Sequence, residues 1–195
     1  MKIPTKWRPK GGDRSGQALV EFIFVGFILL VMLFGMIDCC RAISTRLVLI
    51  NLSREGANQA ARGSGITIDA AISNAISAVI AGASPLDINA HGQVIISAVF
   101  NNNGVYTITH QASAGMFTQP SKVGVLNASG SGSAGSGVTM PYPATDPGAI
   151  PQANQTAYVA ELFYNFSPAT PLGNVVVGGL RGITVTNQLY DVAYF

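Results

Sequence analysis

The sequence predicts an α+β protein: one long N-terminal helix, half of it suited to a membrane, packed on a small antiparallel sheet of about four strands. Three observations carry that expectation. Ala18–Ile37 reads ALVEFIFVGFILLVMLFGMI and holds a single charge, Glu21. Ile68, Ile72, Ile76, Val79 and Ile80 recur at helical spacing. Gln93–Phe100, Val105–Gln111, Thr156–Phe166 and Gly182–Tyr194 read as strands, the first two joined by the turn signal Asn101-Asn102-Asn103-Gly104.

The apolar run comes first. At 1.5 Å per residue it makes a helix about 30 Å long, the thickness of a bilayer core. Residues 1–16 carry Lys2, Lys6, Arg8, Lys10 and Arg14 against Asp13. Cations preceding a span place the N-terminus in the cytoplasm. Arg41, Arg46, Arg54 and Arg62 follow the span and reduce that asymmetry. A cleaved secretory signal has an apolar core of about 7–15 residues and small residues at its cut site. This run is longer, and Met36-Ile37-Asp38 follows it. Asp38 also stands before Cys39 where a lipoprotein signal needs a small residue. An uncleaved signal anchor remains open, as does a processed signal whose logic turns on Glu21.

Beyond the span the helix continues to Arg62. Ile43, Leu47, Ile50, Ala57 and Ala61 form its expected packing face, with Arg54 on the same side, and Gly63-Ser64-Gly65 ends it. The second helix runs over Ile68–Ala81, with Thr67 as N-cap and Gly82 and Pro85 closing it. In Thr156–Phe166, Tyr158, Ala160, Leu162, Tyr164 and Phe166 form one buried face; Val159, Glu161, Phe163 and Asn165 form a mixed one. Residues 172–180 are expected to be a short helix or an apolar turn. Asn127–Gly137 is nearly all Gly, Ser and Ala, and Pro141, Pro143, Pro147 and Pro151 follow. A loop over about 127–155 is expected, because such a stretch buries too little apolar surface to order itself. The chain thus divides into a basic leader (1–16), a membrane helix (17–37), its continuation (38–62) and an outer α+β domain (63–195).

No catalytic pattern stands out in the sequence. His91 and His110 are isolated, with no ligand at helical spacing, so no metal or cofactor is expected. No G-x-S-x-G, P-loop or dinucleotide-binding glycine pattern is present. Residues 63–195 hold only Lys122 and Arg181 as full cations, which excludes a nucleic-acid groove. Cys39 and Cys40 adjoin the end of the span. Neighbouring cysteines rarely bond each other, so they read as apolar boundary residues or as inter-subunit disulfide partners in an oxidising compartment.

Glu21 needs an account of its own. A carboxylate within a bilayer costs about 2.5–3.5 kcal/mol at the centre and less near an end. A cut after Gly16 makes Gln17 the new N-terminus, one helical turn from Glu21, and an amine and a carboxylate at that spacing neutralise each other. Basic leader, Gly16, Glu21 five places on, the aromatic Phe22 and a long apolar run together resemble the class III signal of type IV pilins. Gly16-Gln17-Ala18-Leu19-Val20-Glu21-Phe22, Gly35-Met36-Ile37-Asp38, Arg41-Ala42 and Ser53-Arg54-Glu55-Gly56-Ala57 resemble, as an ordered set, the N-terminal block of TadE-like pseudopilins. Ala160–Leu172 and Gly182–Thr186 also resemble that family.

The resemblance implies a pilin-like architecture and a minor pilin or pseudopilin of a Tad (tight adherence) pilus, without enzymatic activity. It implies processing between Gly16 and Gln17 by a prepilin peptidase, with Glu21 and Phe22 serving assembly. The implied partners are that peptidase, the other pilus subunits and the inner-membrane assembly platform. The implied location is the bacterial inner membrane, N-terminus inside and domain periplasmic, with entry into an extracellular pilus open. The competing expectation is an uncleaved, membrane-anchored periplasmic binding or envelope protein.

Overall fold

A computed structural model describes residues 15–63, 65–126, 140, 151–170, 176–177, 180–181 and 188–195. The expected leader over 1–14 and nearly all of the expected loop over 127–150 lie outside the described residues.

The long helix α1 spans Ser15–Ala61, 47 residues, or about 70 Å of rise. From residue 16 to residue 30 every position is exposed. The face turned to the domain starts at the half-covered Val31, Phe34 and Gly35 and continues through Asp38, Ala42, Thr45, Leu49, Leu52, Ser53, Gly56, Ala57 and Ala60. This corrects the expected stripe. Ile43 and Leu47 are 56% and 57% exposed and point away from the domain, and Arg54 is exposed with them. The larger apolar residues set the sequence signal, but the covered face is built mainly from small residues, which admit closer approach. Leu49 and Leu52 are the large side chains it buries, each contributing about 1.5–3 kcal/mol.

Helix α2, Ile68–Gly82, is capped as expected: the Thr67 hydroxyl accepts the N–H of Ala70. It buries Ala71, Ile72, Ala75, Ile76 and Val79, with Ile68 and Ile80 partly covered. A single turn, α3 (Ile88–His91), follows, capped by Asp87, too short to show a helical period in the sequence.

Strands β1 (Gly92–Asn102), β2 (Val105–Ala114), β3 (Thr156–Asn165) and β6 (Gln188–Tyr194) form one antiparallel sheet in the order β2-β1-β3-β6. All four expected strands are present. Residues 182–187 of the last one lie outside the described residues. Asn103 and Gly104, both at positive φ, make the two-residue turn between β1 and β2 that matches the twist of the flanking strands. Within 172–180, expected as a short helix or an apolar turn, the described residues form β4 (Val176–Val177), which pairs antiparallel with β5 (Leu180–Arg181); 172–175 and 178–179 lie outside the described residues.

Both faces of the sheet are covered. One packs on α1 and α2 through Val94, Ile96, Ala98, Ala160 and Leu162. The other carries Val99, Ile108 and Val159 under Val123 of the segment after β2. That segment begins at Gly115, where φ is +113° and a Cβ would sit 2.2 Å from the Gly92 carbonyl oxygen, so only glycine fits. Side chains from the sheet then hold the segment down. Gln93 Oε1 accepts the N–H of Gln119, Gln111 Nε2 donates to the Gly124 carbonyl, and Gln111 Oε1 accepts the N–H of Leu126. The expected mixed face of β3 is therefore interior: Val159 and Glu161 are fully buried and Phe163 nearly so.

Candidate functional site

The expected site residues all lie on α1, and a second group of its residues, not expected as a site, meets the domain. Gly16, Gln17, Glu21 and Phe22 occupy its first two turns and are all exposed, Phe22 to 78%. Gln17 and Glu21 lie one turn apart, about 6 Å along the axis. A Cβ on Gly16 meets nothing within 4 Å, so packing does not account for a glycine there. Glu21 precedes Asp38, the first buried residue, by about 26 Å of helix. The outer domain therefore makes no demand on Glu21. Cys39 and Cys40 are exposed free thiols on successive positions.

The second group forms a seam between α1 and the domain. It brings part of the N-terminal block that carries the resemblance against residues 160–170 of the C-terminal stretch. Asp38 Oδ1 accepts the backbone N–H groups of Ala169 at 2.9 Å and Thr170 at 3.2 Å, and Oδ2 accepts the Thr170 hydroxyl. The guanidinium of Arg41 lies 5.8 Å from the centre of the Phe166 ring, within cation–π range. About three turns beyond Arg41, the Ser53 hydroxyl donates to Asp191 of β6. Next, Gly56 lets the helix close down: a Cβ there would stand 2.8 Å from Val79 Cγ2 and 3.4 Å from Ala160 Cβ. The seam thus runs from the end of the apolar span to the middle of the sheet.

Burial alone pushes the Asp38 carboxyl up. The Thr170 hydroxyl, the Ala169 and Thr170 amides and the Arg41 charge together outweigh burial and hold it below its ordinary value. The ionised carboxylate is the form that accepts all three donors at once, which is why the hydrogen bonds favour it.

A second polar group sits inside the domain, where sequence reasoning saw only strand alternation. Glu161 Oε1 accepts the N–H of Lys122 at 2.9 Å and the hydroxyl of Tyr190 at 3.0 Å, while Oε2 accepts the Ser121 hydroxyl. Lys122 places its Nζ 3.6 Å from the centre of the Tyr190 ring. Burial first, then the Glu161 charge and hydrogen bond, push the Tyr190 hydroxyl far above its ordinary range. The available signal was a lone carboxylate amid apolar strand residues, which needs a partner wherever it is buried; the partners come from residues 29 to 40 positions away.

His91 and His110 remain apart. His110 Nδ1 is buried without a hydrogen-bond partner among the described residues. Among the described residues no three His, Cys, Asp or Glu side chains come together as a metal site. What the geometry offers is mechanical: a rigid domain tied by charge-assisted and close-packed contacts to the outer half of a helix whose other half is bare.

A family model described as TadE-like protein matches residues 16–58. No curated protein and no solved structure matches the chain. The matched segment starts at Gly16 and ends within the covered face of α1, so it contains the bare half-helix and the helix side of the seam. The resemblance read from the N-terminal block holds over those residues; the C-terminal resemblance lies outside the match. Among the described residues one helix is long and apolar enough to cross a membrane, which fits a single-pass membrane protein.

Proposed function

We propose that this chain, TadE-like over residues 16–58, is a non-enzymatic minor pilin or pseudopilin that supports assembly of a Tad-type pilus for surface adhesion. The observation that carries the reading is the division of α1 within the matched segment. One half is exposed, apolar and bears a single carboxylate; the other half is locked to a folded domain. A helix exposed over residues 16–30 has surface to bury in lipid and then against neighbouring subunits.

In this reading a prepilin peptidase cuts between Gly16 and Gln17, removing five cations and one carboxylate. The new amine at Gln17 then pairs with Glu21 of the same or a neighbouring chain, and Phe22 packs beside it. The other partners are further pilus subunits and the inner-membrane assembly platform. The domain lies on the periplasmic side, and Cys39 and Cys40, exposed just beyond the span, are placed to form inter-subunit disulfides there. No cofactor or metal enters.

The test is the intact mass of the chain recovered from membranes with and without the peptidase. A mass beginning at Gln17 only when the peptidase is present supports the reading. A chain that keeps Met1 in both strains overturns it and favours an uncleaved, anchored periplasmic protein. Gly16→Val is expected to block the cut without unfolding the domain, because a side chain at residue 16 meets open space.

A further inference from the structure

We infer that the membrane-facing end of the domain carries a binding site for the phosphate of an anionic phospholipid headgroup, centred on Arg41. The inference rests on α1 spanning a bilayer. It does not depend on cleavage or on pilus assembly.

A cavity of 610 Å³ opens between α1, the turn before α3 and the end of β3, within the range of about 300–1,000 Å³ that holds small ligands. Its position along the helix is specific. Cys40 and Arg41 line it, three and four residues beyond Ile37, the last residue of the apolar run. At helical rise they lie about 4–6 Å past the hydrocarbon edge, and the headgroup layer on each side is about 5–7 Å thick. The Arg41 end of the cavity is therefore at phosphate depth.

The lining has the two characters a lipid presents. Val48, Leu86 and Phe166 are apolar, while Arg41, His91 and Tyr164 bring N–H and O–H groups; no carboxylate lines the cavity. Two carboxylates stand nearby and keep their charge, Asp38 in part through Arg41, but neither lines the cavity. Asp38 is taken up by Ala169 and Thr170, and Asp87 Oδ1 accepts the N–H of Ala90 as the cap of α3. Among the described residues Arg41 has no carboxylate within ion-pair distance, and its guanidinium rests near the Phe166 ring. A guanidinium steadied on one face keeps N–H donors free at its edge, which suits the oxygens of a phosphate. An inorganic phosphate would leave the apolar part of the lining unused, and a zwitterionic headgroup would bring an ammonium group to a lining without an acid. An anionic phospholipid uses both characters.

The test places the full chain in nanodiscs of phosphatidylcholine containing a minor share of phosphatidylglycerol, followed by gentle release and native mass spectrometry. Recovery of the chain in the nanodisc fraction checks the membrane span separately. The wild type is expected to retain one phosphatidylglycerol with about tenfold preference over phosphatidylcholine. Arg41→Ala is expected to lose that preference. Arg46→Ala, an exposed cation one turn on and outside the lining, is expected to keep it. Ser167→Asp adds a carboxylate at an exposed lining position, where folding is not at stake, and is expected to abolish retention. Retention unchanged in both Arg41→Ala and Ser167→Asp overturns the assignment. So does a preference for inorganic phosphate over lipid, which makes the site one for a free anion, or a dimer carrying no lipid, which gives the surface to a second copy of the chain.

Discussion

Asp38, at the end of the apolar span, accepts the backbone N–H of Ala169 at 2.9 Å across 131 residues of chain. The bond makes the carboxylate a clamp. It stops α1 from swinging at the point where the helix leaves the bilayer, and it orders residues 166–170 after β3. A bare helix can transmit position to a domain only if the joint between them is stiff. Asp38, Arg41, Ser53 and Gly56 stiffen it in four different ways, by charge, ring contact, hydroxyl and close approach.

Replacing Asp38 by Ala leaves the Ala169 and Thr170 amides without their acceptor. The expected cost is about 1–3 kcal/mol, because the loop is partly exposed and water replaces part of what is lost. Hydrogen exchange of the full chain in detergent reads it directly. The Ala169 and Thr170 amides should lose protection while β1 and β3 keep theirs. Retained protection at 169–170 would show that the clamp is not what holds this segment.

The same carboxylate predicts an acid sensitivity with a definite sign. Its folded value lies below the ordinary 3.8, so ionised Asp38 stabilises the folded seam. That contribution is fully present above the ordinary value and is lost as pH falls through the folded one. Loosening of residues 166–170 should begin only below about pH 4, and the Asp38→Asn chain should lack that step. A midpoint near neutrality would point to some other group.

Gly56→Leu should destabilise the domain by about 1–3 kcal/mol. Val79 Cγ2 and Ala160 Cβ stand where its side chain would go, and a valine on a helix cannot turn aside easily. Gly26→Ala, at a position with nothing within 4 Å, should leave the domain unchanged. Urea titration of the two variants makes the comparison. Equal midpoints would show that the helix shifts to make room.

Glu161→Gln should release the segment over 117–126 from the sheet at a cost of about 1–3 kcal/mol. The fully buried side chain faces three donors, and an amide cannot accept from all of them. Loss of protection at the Lys122 amide is the readout. Tyr190→Phe removes one donor, keeps the ring under Lys122, and should cost less, about 0.5–1.5 kcal/mol. The opposite ranking would mean that the ring contact, not the carboxylate, closes this layer.

Glu21→Gln should separate assembly from folding. The side chain is exposed, and the chain stays exposed through residue 30. A neutral residue enters a bilayer more readily than a carboxylate. The variant should be expressed, inserted and cleaved as the wild type is, yet fail to restore pili in a null strain. Full piliation would reduce Glu21 to a tolerated boundary residue.

Much of this architecture was legible in the chain. The span shows because lipid demands an unbroken apolar run, and α2 shows because its isoleucines repeat every four residues. The β1–β2 turn shows because Asn103-Gly104 supplies the positive φ that two-residue hairpins need. Glu21 stands out for the same reason as the span, since one charge in an apolar helix is conspicuous without any partner in view. The packing face of α1 departs from the stripe its periodicity predicts. Periodicity finds Ala57 but also follows large side chains such as Ile43 and Leu47, whereas the domain selected Ala42, Gly56 and Ala60 beside Ala57, whose value lies in what they leave out.

The sequence by itself determined the kinds and order of elements, the span and the TadE-like block, because each rests on local pattern: length, period and turn chemistry. Only the tertiary structure decided which residues meet. That Asp38 serves Thr170, that Ser53 serves Asp191 and that Glu161 serves Ser121 and Tyr190 depends on contacts between residues 29 to 138 positions apart. No local pattern encodes such pairs, because a buried polar group specifies that it needs a partner and not where along the chain that partner lies.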